Sequence, residues 1–384
     1  MPRIGSSART AEMPSVFLFR DLPQERWPSI EVYADRLISG LQRMASVEWV
    51  VRAGCPTTLS LPGPRALSLY FNRVVRYVPY SLHQRAHVYH VLDNSYGHLV
   101  HFLDAQRTVV TSHGGTPLSW RKWNREGPAM WFFDWAFRGM LKAGRILIVS
   151  EYAKRELVEH FDYDPAHIHV VYHGVDDAYR PLSQEEREGI RASLLHPEES
   201  HLILHVGSCI ERKNVTGLLK AFARLLRGLD APCRLLQVGG QFTETQRRLI
   251  ESHHIGRYIT QIPYLPNQEL VRLYNAADVF VFPSLYEGFG VPLIEAMACG
   301  TPVVCHDCEL FHEVCGEAAL FADAFDAERL AMALANVLLD SKLHSDLHER
   351  SLKRAQRFSW ERCVRATLAV YDEIAKAHGP AAKQ

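Results

Sequence analysis

Two carboxylates eight residues apart, Glu287 and Glu295, lie in the stretch of the sequence that most clearly indicates chemistry. The run Val279–Phe282 before them is branched and aromatic, which is typical of a buried strand. Pro292 suits the first turn of a helix, and Gly300 suits the position just past its end. Glu287 is therefore predicted at the carboxyl end of a strand, and Glu295 about one turn into the next helix.

Glycine-rich backbone lies between the two carboxylates. The amides of Gly288, Phe289 and Gly290 fall at the N-terminus of the predicted helix, where N–H groups lack intrahelical acceptors and the helix dipole is positive. Such a terminus binds anions. The sequence therefore predicts a phosphate-bearing ligand here.

Two cations follow another predicted strand. Arg212 and Lys213 come after the strand-like residues 202–206 and before a helical pattern, so they should lie at a loop-to-helix junction. The planar fork of an arginine and the point charge of a lysine could bind a diphosphate together. A solvated basic pair ahead of a helix explains the same residues equally well.

Three weaker candidates also follow predicted strands. Gly239 would let a ligand approach the backbone, or would simply form a turn. Tyr264 could support a nucleobase or pack in a core. His113, followed by Gly114, should face a cleft, but any one of twenty histidines is a weak signal.

Two further clusters have good structural explanations. The spacing of Cys305, Cys308, His312 and Cys315 could supply four zinc ligands, but small, partly buried side chains explain it adequately. Residues 120–145 interleave aromatic and basic side chains, which could touch a membrane surface or a lipid-linked acceptor. A helix that buries its aromatic face is the favoured interpretation.

Length and composition narrow the class of protein. A chain of 384 residues exceeds the usual single core, so two domains are expected. Lys plus Arg and Asp plus Glu are both 43, which argues against a broad basic face for nucleic acid. No apolar run approaches the roughly 20 residues of a membrane span. Eight cysteines without a signal segment predict reduced thiols in the cytoplasm.

Strand-like and helical runs alternate along the chain, which predicts an α/β fold with mostly parallel sheets. Residues 1–13 are predicted as a disordered tail, and 14–180 and 181–358 as two doubly wound, Rossmann-like domains facing across a cleft. Residues 359–384 are predicted as a closing helix and tail that could pack back on the first domain. Ser29 is predicted to cap the first helix. The predicted strands are residues 15–19, 47–51, 87–92, 108–111, 146–149, 168–172, 202–206, 234–238, 258–262, 279–282, 302–305 and 319–321.

The stretch from Glu287 to Val304 resembles the Glu-x7-Glu signature of glycosyltransferase family 4, a large family of retaining sugar transferases with the GT-B fold. Further matches fall in family order at residues 206–207, 211–214, 238–240, 264–266 and 276–280. The resemblance covers roughly residues 85 to 375 and is most specific in the second half.

The resemblance implies a nucleotide-diphosphate sugar in the second domain and an acceptor mostly on the first. By position, Glu287 would contact the hydroxyls of the donor sugar, and Glu295 those of the ribose. Arg212 and Lys213 would hold the diphosphate, and His113 would lie at the acceptor side. The remaining donor-site positions implied by the family are Gly207, Ser208, Gly239, Tyr264 and the amides of Gly288, Phe289, Gly290 and Val291.

The sequence departs from the family pattern at three places. Ser208 stands where many members carry an arginine, so one phosphate contact is expected to differ. The residues after the first strand lack the usual glycine pair, and Arg26 and Ser29 are the nearest substitutes on the acceptor side. Gly114 follows His113 where aspartate is common, which leaves the partner of His113 undetermined.

The expected function is transfer of a hexose, with mannose or glucose on GDP or UDP as leading donors, to a hydroxyl of a glycan or lipid-linked oligosaccharide. The anomeric configuration should be retained, and no metal or other cofactor is implied. By analogy with bacterial members, the acceptor would belong to surface-polysaccharide assembly, with peripheral contact to the inner face of the membrane. The alternatives are a sugar-nucleotide 2-epimerase of the same fold and a catalytically silent sugar-nucleotide-binding partner.

Overall fold

A computed structural model describes residues 13–25, 27–45, 48–114, 128–195, 201–230 and 232–378. Within these ranges, twelve strands form two six-stranded sheets, and every paired strand is parallel to its neighbour. The predicted α/β architecture of two parallel sheets is confirmed. The part built on the first sheet is called the amino-terminal domain below, and the part built on the second the carboxyl-terminal domain.

The strand order of the first sheet is β2-β1-β3-β4-β5-β6. It reverses direction between β1 and β3, and ligands of doubly wound sheets bind beyond the carboxyl ends of the strands at such a reversal. The strands are β1 (Ser15–Phe19), β2 (Val50–Gly54), β3 (Val88–Val91), β4 (Thr108–Ser112), β5 (Arg145–Ile148) and β6 (Ile168–Val170).

The strand order of the second sheet is β12-β11-β10-β7-β8-β9. Its order reverses between β7 and β10, so the loops after these two strands are expected to form the second ligand site. The strands are β7 (His201–Gly207), β8 (Cys233–Gly239), β9 (Ile259–Ile262), β10 (Val279–Phe282), β11 (Val303–His306) and β12 (Ala319–Ala322).

Helices cover both faces of each sheet, and each face carries its own buried apolar core. In the amino-terminal half the helices are α1 (Pro28–Met44), α2 (Arg65–Phe71), a π-helical turn (Asn72–Arg76), α3 (Tyr77–Leu82), α4 (Pro128–Met140) and α5 (Glu151–Phe161). They continue with α6 (Gln184–Leu194), α7 (Val215–Gly228), α8 (Glu244–Ser252), α9 (Asn267–Ala276), α10 (Val291–Ala298), α11 (Glu309–Cys315), α12 (Ala327–Leu339), α13 (Ser341–Ala355) and α14 (Trp360–His378). Short 3-10 turns lie at Pro23–Glu25, Asn94–His101, Ala105–Arg107, Pro165–His167, Glu211–Lys213 and Gly256–Tyr258.

Two local predictions about the start of the chain are wrong. Helix α1 begins at Pro28 with Trp27 at the cap position, so Ser29 lies in the first turn and does not cap the helix. The second strand is Val50–Gly54 rather than residues 47–51, because Trp49 N donates a hydrogen bond to Ala45 O at 2.7 Å, which closes a turn, and Trp49 is buried. Arg26 and the tail residues 1–12 and 379–384 lie outside the described residues.

A helix lies within the polar segment predicted to connect the two series of strands. Helix α6 begins with a capping box in which Ser183 Oγ accepts from Glu186 N, and the Glu186 carboxylate accepts from Ser183 N at 2.9 Å. The Ser-x-x-Glu spacing is a helix-start signature, so this helix was readable in the sequence.

Helix α4 covers the described part of the aromatic and basic segment. It buries Phe132, Phe133 and Phe137, whereas Trp131 is 70% exposed. Residues 120–127 of that segment lie outside the described ranges. None of the helices described is long and apolar enough to cross a membrane.

The closing helix α14 packs on the amino-terminal domain. Val364, Val370, Tyr371 and Ile374 share one buried core with α1 and the first sheet. Trp49 Nε1 donates to Asp372 Oδ1 at 3.0 Å. The last helix therefore leaves the carboxyl-terminal domain and helps to hold the amino-terminal one together.

A buried chain of hydrogen bonds joins α14 to strands β3 and β4. Tyr371 Oη lies 2.5 Å from His90 Nδ1, and His90 Nε2 lies 2.7 Å from Thr111 Oγ1. Thr111 Oγ1 also lies 3.2 Å from Tyr33 Oη. Burial lowers the pKa of His90 to about 3, so its ring is neutral in this chain.

Removing one hydroxyl from this chain should destabilise the fold. Tyr371→Phe leaves His90 Nδ1 buried without its partner, and we expect the free energy of unfolding to fall by about 1–3 kcal/mol. Urea unfolding of the purified protein measures the change. Tyr264→Phe removes the hydroxyl of a tyrosine that is 67% exposed and should leave stability unchanged. Equal stability of Tyr371→Phe and wild type would show that the hydrogen bond from Tyr371 contributes nothing to the free energy of unfolding.

Candidate active site

A carboxylate held between two cations lies where the second sheet reverses its strand order. Arg212 and Lys213 follow β7, and Glu287 follows β10. Lys213 Nζ lies 2.5 Å from Glu287 Oε1, and Arg212 Nη1 lies 3.0 Å from Glu287 Oε2. The structure therefore brings together the three charged residues that the sequence placed on separate loops.

Local backbone geometry fixes the two cations. Asn214 has a left-handed backbone, with φ at 51°, and caps α7 by accepting from Gly217 N at 3.1 Å. Its Nδ2 also donates to Ala324 O at 2.8 Å. Leu285 N donates to Arg212 O at 2.8 Å, which ties the loop after β10 to the loop after β7.

The charge balance of this cluster favours an anion. Burial would raise the pKa of the Glu287 carboxyl, but Lys213 and Arg212 outweigh burial and leave that pKa below its ordinary value. Glu287 is therefore ionised at neutral pH, and two positive charges face one negative charge. The side chains of Lys213 and Glu287 are only 12% and 11% exposed, so screening by solvent is weak.

The N-terminus of α10 adds backbone donors beside this cluster. Gly290 occupies the cap position with φ at +94°, a conformation that side chains rarely adopt, and Pro292 lies in the first turn as predicted. The first amides of a helix have no intrahelical acceptor. Together with Arg212 and Lys213, they offer the charges and donors that a diphosphate requires.

Glu295 lies at the fifth position of α10, one turn beyond the N-terminus of the helix. Tyr274 Oη donates to Glu295 Oε2 at 3.0 Å. Burial raises the pKa of Glu295 to about 7, in opposition to Tyr274 and Tyr179. Glu295 is thus about half ionised near neutral pH before any ligand binds.

Gly207 and Gly239, the last residues of β7 and β8, allow the ends of these two strands to lie close together. A Cβ added at Gly239, where φ is +118°, would lie 2.6 Å from Gly207 O. Gln237 Nε2 donates to the same Gly207 carbonyl at 2.8 Å. Backbone packing alone therefore requires glycine at position 239, without any contribution from a ligand. Ser208 is half-buried beside it, and Tyr264 lies 67% exposed in the loop before α9.

His113 at the end of β4 has a fixed orientation. Its Nε2 donates to Leu92 O at 2.8 Å, and its Nδ1 lies 3.4 Å from His173 Nε2. The edge of Tyr33 packs against both imidazole rings, with ring centroids 4.5 and 5.1 Å apart. Burial lowers the pKa of His113, although Asp93 and Leu92 O oppose this shift, so His113 is neutral at pH 7. His173 is the partner that the sequence left undetermined.

The two domains touch directly between His113 and the Glu287 loop. A Cβ added at Gly288 would lie 1.8 Å from His113 O, and one added at Gly114 would lie 2.4 Å from Gly288 Cα. Ser150 Oγ donates to Gly288 O at 3.1 Å. Phe289 is buried, with its ring 5.3 Å from that of His173. The histidine predicted for the acceptor side and the loop predicted for the donor side therefore meet at one contact between the domains.

Sequence reasoning missed three supporting residues. Tyr274 is an inward-facing position of α9 with no pattern to distinguish it from a core tyrosine. His173 had a weak signal, because it closely follows β6 in the same way that His113 follows β4. Tyr179 lies near Glu295 but precedes the second series of strands, so no local signal connects the two residues.

The four candidate zinc ligands do not form a metal site. In the part of the chain that the structure describes, no three His, Cys, Asp or Glu side chains are arranged to hold a metal ion. Cys305 and Cys315 are buried, and His312 Nε2 lies 2.7 Å from Asp307 Oδ1. The thiols are free.

Two family models match successive parts of the chain. Residues 30–179 match the model described as Glycosyltransferase Family 4, and residues 186–354 match the one described as Glycosyl transferases group 1. O-antigen chain mannosyltransferase B of Escherichia coli is 30% identical over 268 residues, which are 69% of this chain and 70% of that enzyme.

Two further similarities are more limited. One covers only part of a relative, and the other shows the fold alone. A D-inositol 3-phosphate glycosyltransferase of Corynebacterium kroppenstedtii is 30% identical over 241 residues, 60% of this chain and 53% of that enzyme. The chain thus spans about half the length of this relative. Sucrose-phosphate synthase from Thermosynechococcus elongatus has the same fold, with a TM-score of 0.73 over 95% of this chain and 100% of that one at 21% identity.

These similarities agree with the two parallel sheets. The architecture is the GT-B fold of glycosyltransferases. Within that class, the chain belongs to glycosyltransferase family 4.

Proposed function

We propose that the protein is a retaining hexosyltransferase that moves a sugar from a nucleotide diphosphate to a hydroxyl of a glycan. The contact of Lys213 and Arg212 with Glu287, beside the N-terminus of α10, carries this proposal. A cationic cluster next to free helix amides suits a diphosphate that gains charge as it leaves the sugar.

Each charged residue has a distinct role in this proposal. Lys213 and Arg212 stabilise the leaving diphosphate, and the amides from Gly288 onward complete its site. Glu287 accepts from hydroxyls of the transferred sugar. Glu295 accepts from the ribose hydroxyls.

Catalysis then consists mainly of positioning and charge stabilisation. The leaving diphosphate takes up the proton of the attacking acceptor hydroxyl on the face that it vacates, so the anomeric configuration is retained. His113 is neutral and held by Leu92 O, which suits a positioning role on the acceptor side. The positive charge comes from protein groups, so the proposal requires no divalent metal.

The named relatives guide the choice of substrates. The Escherichia coli relative is an O-antigen chain mannosyltransferase, which supports mannose as the donor sugar and a growing surface polysaccharide as the acceptor. Glucose remains the second choice of sugar, and GDP and UDP the two bases to be compared. A lipid-linked acceptor would bring the protein into peripheral contact with the inner face of the membrane.

A turnover screen tests the proposal. Purified protein in EDTA is mixed with UDP-, GDP- and ADP-sugars and a panel of glycan acceptors, and NMR follows the donor and the anomeric configuration of the product. Transfer with retention from one donor supports the proposal. Conversion of a donor to its epimer would identify the epimerase, and binding of an inert donor would identify the silent partner.

The pKa of Glu295 predicts a pH dependence of donor affinity. Ribose hydroxyls donate to the ionised carboxylate, and the raised pKa of about 7 means that this form is lost as pH falls below 7. We expect the affinity for the donor nucleotide sugar to fall up to about fivefold between pH 7 and pH 6. Calorimetric titrations at both pH values measure it.

Glu295→Gln provides the matched control for this dependence. The side-chain amide of this variant binds the ribose more weakly than the carboxylate does at pH 7.5. Because the amide does not titrate, the affinity of the variant for the donor should be the same at pH 7 and at pH 6. An equal pH dependence in wild type and Glu295→Gln would assign the titration to another group.

A further inference from the structure

Two carboxyl groups meet where the strand order of the first sheet reverses. Asp21 follows β1 and Asp93 follows β3, and these two strands pair directly. The reversal is the expected ligand crevice of this sheet. His113 lies beside it, since His113 N donates to Asn94 Oδ1 at 3.3 Å. The carboxyl pair therefore lies at the same mouth of the cleft as the acceptor-side histidine.

A buried ion pair holds the loop after β1 in place. Arg73 Nε donates to Glu25 Oε1 at 2.8 Å, and Arg73 Nη1 donates to Ser95 O at 3.3 Å. The guanidinium lies over the ring of Tyr96, 4.4 Å from its centroid. Tyr96 Oη accepts from Leu22 N at 3.0 Å. The charges of Arg73 and Glu25 are therefore committed to each other and to the scaffold.

Asp21 takes no part in this scaffold. Both of its carboxyl oxygens are buried, and neither accepts a hydrogen bond from an N–H or hydroxyl group of the described residues; the group they face is the carboxyl of Asp93. The Nε2 of Gln24, in the same loop, is also buried without an acceptor in the described part of the chain. Buried polar groups are almost always paired, so unpaired acceptors and a donor in one loop point to a polar ligand.

The charge around Asp21 limits what that ligand can be. Burial, followed by repulsion from Asp93 and Glu25, raises the pKa of Asp21 well above its ordinary value. The raised pKa favours the uncharged form of Asp21, which can both donate and accept a hydrogen bond. Arg20, the preceding residue, pairs with Asp35 at 2.6 Å. A sugar hydroxyl suits these groups, whereas a phosphate would meet acidic neighbours.

We propose that Asp21 and Asp93 bind hydroxyl groups of the acceptor and select an uncharged sugar over a phosphorylated polyol. This inference rests on the proposed transferase function and adds the class of acceptor. It separates this chain from the Corynebacterium relative, whose name gives D-inositol 3-phosphate as a substrate.

Substitution of Asp21 tests the proposal. Asp21→Asn keeps the shape of the uncharged acid, and Asp21→Leu removes every hydrogen bond without adding charge. Because the native carboxyl is buried beside the carboxyl groups of Asp93 and Glu25, which repel its charged form, both variants should be at least as stable as wild type in thermal unfolding. The kcat/KM for transfer to neutral octyl hexosides should fall about tenfold in Asp21→Asn and at least 100-fold in Asp21→Leu, mainly through KM. Donor hydrolysis without acceptor should stay within twofold.

Controls separate this inference from the proposed function. Glu48→Gln changes an exposed carboxylate at the opposite end of the sheet and should leave every rate unchanged. A wild type that neither hydrolyses nor transfers any donor refutes the proposed function itself. A wild type that hydrolyses the donor but prefers D-inositol 3-phosphate, or uses neither acceptor class, overturns only the acceptor inference. An unchanged acceptor KM in Asp21→Leu also overturns it.

Discussion

Lys213→Ala is expected to lower kcat/KM for sugar transfer by about 10²–10³-fold. Lys213 is 12% exposed and in contact with Glu287, so its charge acts in a poorly screened site. Loss of one preorganised group that stabilises developing charge typically has an effect of this size. Without Lys213, Glu287 also loses the stronger of the two cations that keep its pKa low. Steady-state kinetics with the identified donor measure the loss.

Lys220→Ala is the matched control for this substitution. Lys220 lies exposed on α7, seven residues after Lys213 along the chain. Its removal changes net charge by the same amount and should leave kcat/KM within twofold. Turnover of Lys213→Ala at the wild-type rate would remove Lys213 from the mechanism.

Gly288→Ala is expected to lower kcat about 100-fold while nucleotide affinity changes only a few-fold. The added Cβ would lie 1.8 Å from His113 O, so the contact between the two domains must open. A displacement near 1 Å is enough to cost about 10² in rate when catalysis depends on positioning. The proposed nucleotide site lies on the carboxyl-terminal domain, and alanine keeps the backbone amide of residue 288, so this site should stay intact. Kinetics and calorimetry together separate the two effects.

Gly189→Ala is the matched control for Gly288→Ala, because it adds the same methyl group at a position where space is open. Gly189 lies inside α6, and nothing lies within 4 Å of a Cβ built there. Alanine should raise stability by up to about 1 kcal/mol, because glycine is the poorer helix former, and should not change kcat. Full activity in Gly288→Ala would mean that the tight contact between the domains is not required for transfer.

The carboxyl-terminal site could be predicted well because its signals are local. Pro292, Gly290 and Gly300 mark the ends of a helix by backbone chemistry, and the structure has α10 at Val291–Ala298. Once β7 and β10 were identified as parallel strands, the loops that follow them had to open at the same edge of a sheet. The proximity of Arg212, Lys213 and Glu287 follows from that topology.

The rest of the site depends on contacts between distant segments. His113 and His173 are 60 residues apart, and no periodicity connects them. Ser29 failed as a cap because Pro28, which needs no N–H partner, starts the helix two residues earlier than a cap at Ser29 would. Asp21 drew no attention in the sequence, because an aspartate in a loop is ordinary unless its burial is known.

Polar contacts hold the two domains together at their interface and therefore affect how substrates enter the cleft. Glu313 of α11 accepts from Glu151 N and Tyr152 N at the start of α5, at 2.6 and 2.8 Å. Arg155 and Glu309 pair across the same boundary at 2.6 Å. These polar contacts and the glycine contact hold His113 against the Glu287 loop. We therefore expect the domains to separate when a donor and acceptor enter and then to close again.

Binding of nucleotide diphosphates in EDTA is the most direct test of the donor site. Calorimetric titration of the wild type with UDP, GDP and ADP should show one nucleotide that binds at a single site per chain. Its affinity should fall at least tenfold in Lys213→Ala and remain unchanged in Lys220→Ala. If no nucleotide diphosphate bound to the wild type, or if binding required a divalent metal, the assignment of Arg212, Lys213 and the start of α10 to the diphosphate would be wrong.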